Sequence, residues 1–179
     1  MIATPRLLLR PWRDSDREPF AAMNADPEVM EFFVATQTRE QSNETVDQIM
    51  AHQRAHGFCF FAAELHGEAE FIGFIGISTV PFEAIFTPAV EIGWRLARPY
   101  WYRGLATEEA QAALRYGFDA AGCREIAAYT AAHNMRSRRV MEKMGMWHDE
   151  GCDFDHPRVP IGNPLRRQVL YRASLLGQR

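Results

Sequence analysis

A strand that passes through one turn into a helix, between residues 90 and 118, constrains the fold of this 179-residue chain more than any other feature. From Val90 to Ala97 apolar and polar residues alternate, which is typical of a β-strand with one buried face. From Leu105 to Phe118 the apolar residues recur with the period of an amphipathic helix. The two patterns together predict a mixed α/β (α+β) fold in which a strand leads directly into a helix N-terminus.

The turn between these two elements, residues 98–107, has the composition of an anion-binding site. The first N–H groups of a helix have no partner within it, and the helix dipole is positive at that end, so a pyrophosphate can bind there. Gly104 and Ala106 have small side chains that let phosphate oxygens approach the backbone, while Arg103 and Thr107 add a cation and a hydroxyl. The turn therefore predicts a site for a phosphate-bearing ligand.

Composition and charge argue against several classes of protein. Hydrophobic residues make up 47% and charged residues 24% of the chain, as in globular proteins, and the length predicts a single domain over residues 1–179. The net charge of −3 argues against direct binding to nucleic acid or membrane. We see no signal peptide or membrane-spanning run, and the scattered cysteines form no C-x-x-C pair, so we expect a cytoplasmic protein with no metal site.

The other elements are predicted from periodicity and from capping and turn residues. Thr38 and Gln41 form a capping box at the start of a helix that Gly57 ends. Further helices are predicted at 28–33, 105–122 and 134–144, and strands at 4–12, 58–65, 70–80, 90–97, 125–132, 147–154 and 168–175.

The loop at 81–88 is unusually apolar for a connection, because Phe82, Ile85 and Phe86 lie between two prolines. Two interpretations are open: the loop forms a wall of a binding site, or its side chains make ordinary core contacts. They differ in whether these side chains face a ligand or other side chains.

Two short sequences in a fixed order resemble those of a known family. The turn contains Tyr100-Trp101-x-Arg103-Gly104-x-Ala106-Thr107-Glu108, and Asn134-x-x-Ser137 followed by Glu142-Lys143-x-Gly145-Met146 comes after the next strand. Together they resemble the GNAT superfamily of N-acetyltransferases, and the first is similar to its ribosomal-protein-alanine acetyltransferase (RimJ/RimL-type) branch. The resemblance covers nearly the whole chain, and its specific part lies in residues 90–146.

The resemblance implies a fold, a reaction and a co-substrate. Members of the superfamily have a central, mostly antiparallel sheet with two splayed strands, flanked by helices, and transfer an acetyl group from acetyl-CoA to a primary amine. The pantetheine arm would pair with the strand before the turn, where Gly93 would permit close approach. Asn134 is an implied coenzyme contact or simply the N-cap of its helix. The residues implied in coenzyme binding are Ile92, Trp94, Arg95, Leu96, Tyr102, Arg103, Gly104, Leu105, Ala106, Thr107 and Asn134.

Glu91 is the candidate general base, because an ammonium group must lose a proton before its nitrogen can attack a thioester. It lies on the strand expected to hold the coenzyme and faces away from the Trp94 side. A salt bridge is the alternative role for Glu91, and Glu83 and His133 are alternative bases.

The remaining catalytic functions are assigned to one backbone group and one side chain. A backbone N–H of Trp94 or Arg95 would stabilise the negative charge that develops on the thioester oxygen. Ser137 would protonate the departing thiolate. Many members of the superfamily have a tyrosine at the position of Met141, so this chain departs from their pattern there.

The acceptor is predicted to be a protein N-terminal α-amine or a small-molecule amine, and the protein to be a monomer or homodimer. The competing interpretation is a catalytically silent module that binds acyl-CoA as a sensor, which the departure at Met141 allows. Acceptor-dependent release of thiol from acetyl-CoA separates an enzyme from a sensor.

Overall fold

The computed structural model describes residues 1–175, which form four α-helices and a sheet of nine strands. The helices are α1 (Arg17–Ala25), α2 (Arg39–His56), α3 (Leu105–Asp119) and α4 (Met135–Lys143). The strands are β1 (Ile2–Ala3), β2 (Leu7–Arg10), β3 (Phe60–Leu65), β4 (Ala69–Thr79), β5 (Val90–Leu96), β6 (Glu125–Ala131), β7 (Trp147–His148), β8 (Phe154–Asp155) and β9 (Arg167–Ser174). None of these helices is long and apolar enough to cross a membrane.

The strands lie in the order β1-β2-β3-β4-β5-β6-β9-β7, with β8 paired to β9. Within residues 1–175 all the strand pairs are antiparallel except β5 with β6. These two are parallel because α3 connects them, and a parallel pair requires such a crossover. The arrangement confirms the predicted mixed fold with a mostly antiparallel sheet flanked by helices.

Helices cover both faces of the sheet, and alternate residues of β5 face different helices. Ile92 is in register with Ile77, whose side chain packs against α3. Arg95 points to the opposite face, where it hydrogen-bonds Asn24 of α1. Because side chains alternate along a strand, Glu91 lies with Arg95 on the α1 face.

The capping box predicted for α2 is confirmed at both of its hydrogen bonds. The Thr38 N–H donates to the Gln41 side chain at 2.9 Å, and the Gln41 N–H donates to the Thr38 hydroxyl at 3.3 Å. Gly57 ends the helix in the left-handed region, with φ of 79°. Local signals were sufficient here because each bond joins near neighbours in the chain.

The helix predicted at 28–33 is wrong, because this segment is a series of turns. A turn bond joins the Met30 N–H to the Asp26 carbonyl at 3.0 Å, but no continuous helical ladder follows it. The Glu31 carboxylate makes an ion pair with Arg136 of α4. We attribute the turns to such tertiary contacts, which a local pattern does not report.

Two predicted strands are shorter than expected. The strand at 147–154 is divided into β7 and β8. The reason is that the Asp153 carboxylate lies beside β9 and accepts a hydrogen bond from the Leu170 N–H at 3.0 Å. The strand at 4–12 is reduced to Leu7–Arg10, since the prolines on either side cannot donate to a ladder.

Glu109 of α3 is fully buried, and neither of its carboxylate oxygens has a hydrogen-bond partner within residues 1–175. Desolvation, assisted by the charge of Glu108, raises its pKa to about 8. The folded state therefore keeps this proton over a pH range in which the unfolded chain has lost it. The free energy of unfolding is highest below about pH 4.5, where the carboxyl is protonated in both states. It falls by up to about 1.4 kcal/mol per pH unit as the pH rises to about 8.

Urea unfolding of a Glu109→Gln variant at several pH values measures this contribution. We expect the variant to lose less stability than the wild type between about pH 5 and pH 8, because glutamine does not ionise. Glu44→Gln, at an exposed position of α2, is the matched control. Parallel pH profiles for Glu109→Gln and the wild type would contradict the prediction.

Candidate active site

β5 and β6 meet at one end and part toward the other. Their single bridge joins Glu91 to Ala127, whereas β5 pairs with β4 along its whole length, from Val90 to Leu96. Beyond Glu91, the second edge of β5 has no strand partner within residues 1–175. This is the splay that the sequence led us to expect.

The phase of the β4–β5 ladder shows which backbone groups lie on this open edge. The Ala97 N–H donates to the Ile72 carbonyl at 2.8 Å, and hydrogen-bonded pairs alternate along an antiparallel ladder. The N–H of Arg95 therefore points to β4, while the N–H and C=O of Trp94 point into the gap between β5 and β6. At the far end the Leu96 carbonyl, on the same edge, accepts a hydrogen bond from the Trp101 indole at 2.7 Å.

The turn at 98–107 presents a row of unpaired donors at the end of this edge. The N–H groups of residues 102–107 have no acceptor within residues 1–175, because the first helical bond of α3 comes from Glu108 to the Gly104 carbonyl. Tyr102 and Gly104 have φ of 60° and 76°, a left-handed geometry that turns neighbouring N–H groups toward a common anion. Leu105, although predicted to contact the coenzyme, has its side chain buried in the core.

The cation predicted from Arg103 is engaged with a carboxylate of the protein. Both terminal nitrogens of its guanidinium lie 2.7 Å from Glu68, in the turn between β3 and β4. Arg6 reaches the turn as well, and its Nη1 donates to the Arg103 carbonyl at 3.0 Å. The Arg103–Glu68 pair is partly exposed and such pairs contribute only about 0–1 kcal/mol, so a phosphate can compete with Glu68 for Arg103.

A groove of about 610 Å³ begins at the turn and follows the outer side of α3. Gly104 and Thr107 line its start, and Arg115 and Lys143 are among the residues that line the remainder. An added Cβ at Gly104 would meet no atom within 4 Å apart from Arg6 Nη2 at 3.7 Å. The turn is therefore open on the side where a ligand would approach.

Glu91 lies next to Tyr129 of β6, on the α1 face. Desolvation raises the pKa of the Glu91 carboxyl to about 7, and a hydrogen bond with Tyr129 opposes this rise. No cation of residues 1–175 contributes to the shift, so the described contacts do not support a salt bridge as the role of Glu91. A carboxyl with a pKa near neutrality can exchange a proton at physiological pH, whereas Glu83 and His133, the alternative bases, are exposed.

An aromatic wall borders this carboxylate. We give this name to Phe82, Phe86, Tyr129, Phe154 and His156, whose neighbouring ring centroids lie 4.5 to 6.4 Å apart. Phe86 and Phe154 are buried, so the apolar loop at 81–88 makes core contacts. Contact of the loop with a ligand stays a prediction. It is supported by Tyr129, the member of the wall that lies next to Glu91.

Gly93 makes room for a side chain of the protein itself. A Cβ at this position would lie 3.1 Å from Cε1 of the Phe60 ring. The bare face of Gly93 is thus covered by an aromatic ring, whereas an extended ligand would approach β5 along its edge. On this face the close neighbour of Gly93 is Phe60, and the approach of a coenzyme at Gly93 stays a prediction.

Asn134 is the N-cap of α4, as one of its two interpretations predicted. Its Oδ1 accepts from the Ser137 N–H at 3.2 Å, while its Nδ2 donates to the hydroxyls of Thr130 at 2.9 Å and Ser137 at 3.2 Å. Because Asn134 donates to the Ser137 oxygen, the Ser137 hydroxyl proton is left to bond another acceptor. Met141 is buried in the core and offers no proton.

The contacts of Arg6, Tyr129 and Trp101 at the site could not be predicted from the sequence. Arg6 and Tyr129 act on residues that lie far from them in the chain, and nothing in the local pattern identifies those partners. The Tyr129–Glu91 contact follows only once β6 is known to lie parallel to β5 in the register that joins Glu91 to Ala127.

Comparison with known proteins places the chain among acetyltransferases. Residues 6–147 match the family model described as acetyltransferase (GNAT) domain. The chain is 33% identical over 150 residues to the uncharacterized protein YkkB of Bacillus subtilis, covering 83% of this chain and 86% of that one. It is 30% identical to the FsC-acetyl coenzyme A-N(2)-transacetylase of Aspergillus fumigatus, covering 90% and 71%. A GNAT-family acetyltransferase structure from Bacillus anthracis superimposes with a TM-score of 0.79 at 29% identity, over 97% of each chain.

Proposed function

We propose, from the premise that this chain belongs to the GNAT family of acetyltransferases, that the acetyl group passes directly to an amine in the gap between β5 and β6. The chain is an acetyl-CoA-dependent N-acetyltransferase. Acetyl-CoA supplies a thioester, whose carbonyl carbon the amine attacks and whose thiolate leaves. We also propose that the reaction takes place in the cytoplasm.

One observation carries this proposal: the open edge of β5 leads straight into the row of unpaired N–H groups at 102–107. An extended chain of amides fits the edge, and a diphosphate fits the row, so the two sites together match one coenzyme. We assign the pantetheine arm to Ile92, Trp94 and Leu96, and the diphosphate to residues 102–107. The groove toward Arg115 and Lys143 would take the nucleotide end.

Glu91 removes the proton from the acceptor amine. Its pKa of about 7 lies close to that of an α-amino group, near 8, and well below that of an alkyl ammonium, near 10.4. An α-ammonium gives up its proton to this carboxylate more readily than an alkyl ammonium does, so we propose an α-amine as the acceptor. This preference agrees with the protein N-terminal acceptor that the sequence resemblance implies and also admits small α-amines.

Trp94 stabilises the charge that develops on the acyl oxygen. Its backbone N–H points into the gap, whereas that of Arg95 belongs to the β4 ladder, so the choice between the two N–H groups falls on Trp94. A fixed donor at this position lowers the barrier without having to reorient during the reaction.

Ser137 donates a hydrogen bond to the departing sulfur. We predict that Ser137→Ala lowers kcat by roughly tenfold or more, because a hydrogen bond to a charged group contributes about 1.5–3 kcal/mol. The KM for acetyl-CoA should change little, since the bond forms only as the thiolate leaves. Steady-state thiol release measures both constants.

Ser137→Thr is the control for this prediction, because it keeps the hydroxyl and should keep most of the activity. An alanine variant with the wild-type kcat would remove Ser137 from the reaction. The Asn134 cap accepts from the backbone N–H of residue 137 and is therefore retained in both variants.

Mass spectrometry of a mixed library of amines and peptides, incubated with acetyl-CoA, tests the proposed function. Acetylated products confirm transfer and identify the acceptor class in one measurement. Tight coenzyme binding with no acceptor-dependent thiol release would instead support the sensor interpretation. The proposed chemistry requires no metal.

A further inference from the structure

We infer that Arg95 binds a carboxylate of the acceptor, so that the substrate is a peptide-like amine with an acidic group near its N-terminus. This inference rests on the proposed function, because it assumes that the acceptor enters on the α1 face beside Glu91. It identifies Arg95 as a residue that determines specificity.

Arg95 is a half-buried cation with no anionic partner within residues 1–175. Its Nε is inaccessible to solvent and has no hydrogen-bond partner within residues 1–175. Its Nη1 donates to the neutral amide oxygen of Asn24 at 2.5 Å. Desolvation alone lowers its pKa to about 10, so no carboxylate of the described chain compensates the charge.

The guanidinium is held in place by a buried polar network. Asn24 is fully buried, and its Nδ2 donates to the side chains of Gln37 at 2.9 Å and Ser42 at 3.1 Å. These bonds fix the amide so that its Oδ1 faces Arg95. The cation is therefore oriented before any ligand arrives, which reduces the entropy lost on binding.

Aromatic contacts compensate only part of the cost of burying this charge. The Arg95 guanidinium carbon lies 4.0 Å from the centroid of the Phe33 ring and 5.3 Å from that of Phe74. Such contacts contribute about 0.5–2 kcal/mol, whereas burying an unpaired ion costs several kcal/mol. Phe33 is 43% exposed and Arg95 itself is half-buried, so the cation lies close to the protein surface.

The spacing along β5 sets the size of the acceptor. Glu91 and Arg95 project from the same face, and at about 3.3 Å per residue their Cα atoms are roughly 13 Å apart. An extended peptide of about three or four residues spans this distance, whereas the amine and carboxylate of one amino acid do not. The two oxygens of a carboxylate also match the guanidinium fork.

Matched acceptor peptides test the inference. Ala-Ala-Glu-amide is compared with Ala-Ala-Gln-amide, and Ala-Ala-Ala with a free carboxylate is compared with its amide. We expect the acidic member of at least one pair to have a KM roughly 10- to 100-fold lower, with similar kcat. The pair that shows the difference tells whether a side-chain or a terminal carboxylate is bound.

Arg95→Gln should reduce this ratio to about one, because the neutral side chain has no charge to offer, while Arg95→Lys should keep part of it. Equal kcat/KM for both members of each pair in the wild type would overturn the inference and leave acetyl transfer intact. The wild-type comparison holds even if Arg95→Gln does not fold, and failure to acetylate any amine would refute the proposed function instead.

Discussion

A Gly104→Glu variant should lose measurable affinity for coenzyme A. The added carboxylate would lie in the row of N–H groups at 102–107, where it repels the diphosphate and competes for the same donors. The left-handed φ of 76° at this position adds backbone strain for any residue with a side chain. We expect the dissociation constant to rise by at least about 100-fold, or about 2.7 kcal/mol, in calorimetric titrations.

Two further variants separate the effect of the added charge from the effect of the backbone strain. Gly104→Ala has the strain without the charge, and we expect it to weaken binding much less. Gly122→Glu places the same side chain at an exposed glycine with φ of 70° and nothing within 4 Å of an added Cβ. It should therefore bind as the wild type does. Wild-type affinity in a folded Gly104→Glu protein would remove the diphosphate site from this turn.

Glu91→Gln should lower kcat/KM for the acceptor by about 100-fold or more near pH 8, because a general base contributes about 10²- to 10⁴-fold. Only the anionic carboxylate accepts a proton. With a pKa of about 7, its anionic fraction rises as the pH increases, so the wild-type rate should rise with pH through this value. The variant should lack the rise near pH 7 and keep only the rise near pH 8 that deprotonation of an α-amine itself produces. The difference between the two should shrink below about pH 6. Initial rates of thiol release across the pH range measure both effects.

Variants of Tyr129 and Glu83 provide controls for the pH profile of Glu91. Tyr129→Phe removes a hydrogen bond that lowers the pKa of Glu91, so its profile should move to higher pH. Glu83→Gln changes an exposed carboxylate of the adjacent loop and should leave the profile unchanged. If Glu91→Gln kept the wild-type profile while Glu83→Gln lost it, the base would be Glu83.

Elements with strong local signals were predicted correctly. The α2 capping box, the strands β3 and β4, and the strand–turn–helix from β5 to α3 all depend on residues close together in the chain. The helix predicted at 28–33 was wrong because its conformation depends on a distant residue. Glu31 makes an ion pair with α4. The interruption of the strand at 147–154 by Asp153 likewise depends on β9.

The same distinction between local and long-range causes applies to the candidate site. The unpaired N–H groups of the turn follow from the start of any helix after a glycine-containing turn, so they could be predicted. The raised pKa of Glu91 could not, because desolvation depends on what packs around a carboxyl in three dimensions. Nor could the Arg103–Glu68 pair, which joins the turn to a hairpin far away in the sequence.

By itself, the sequence determined most of the helices and strands, the position of the turn between β5 and α3, and the face of β5 on which Glu91 lies. Those properties follow from side-chain periodicity and backbone geometry, which act over a few residues. The tertiary structure alone decided which edge of β5 is open, that Phe60 covers Gly93, and that Arg95 lies half-buried beside Asn24 with no anion from residues 1–175. These depend on contacts between distant segments, because periodicity predicts that a residue is buried but not which neighbour buries it.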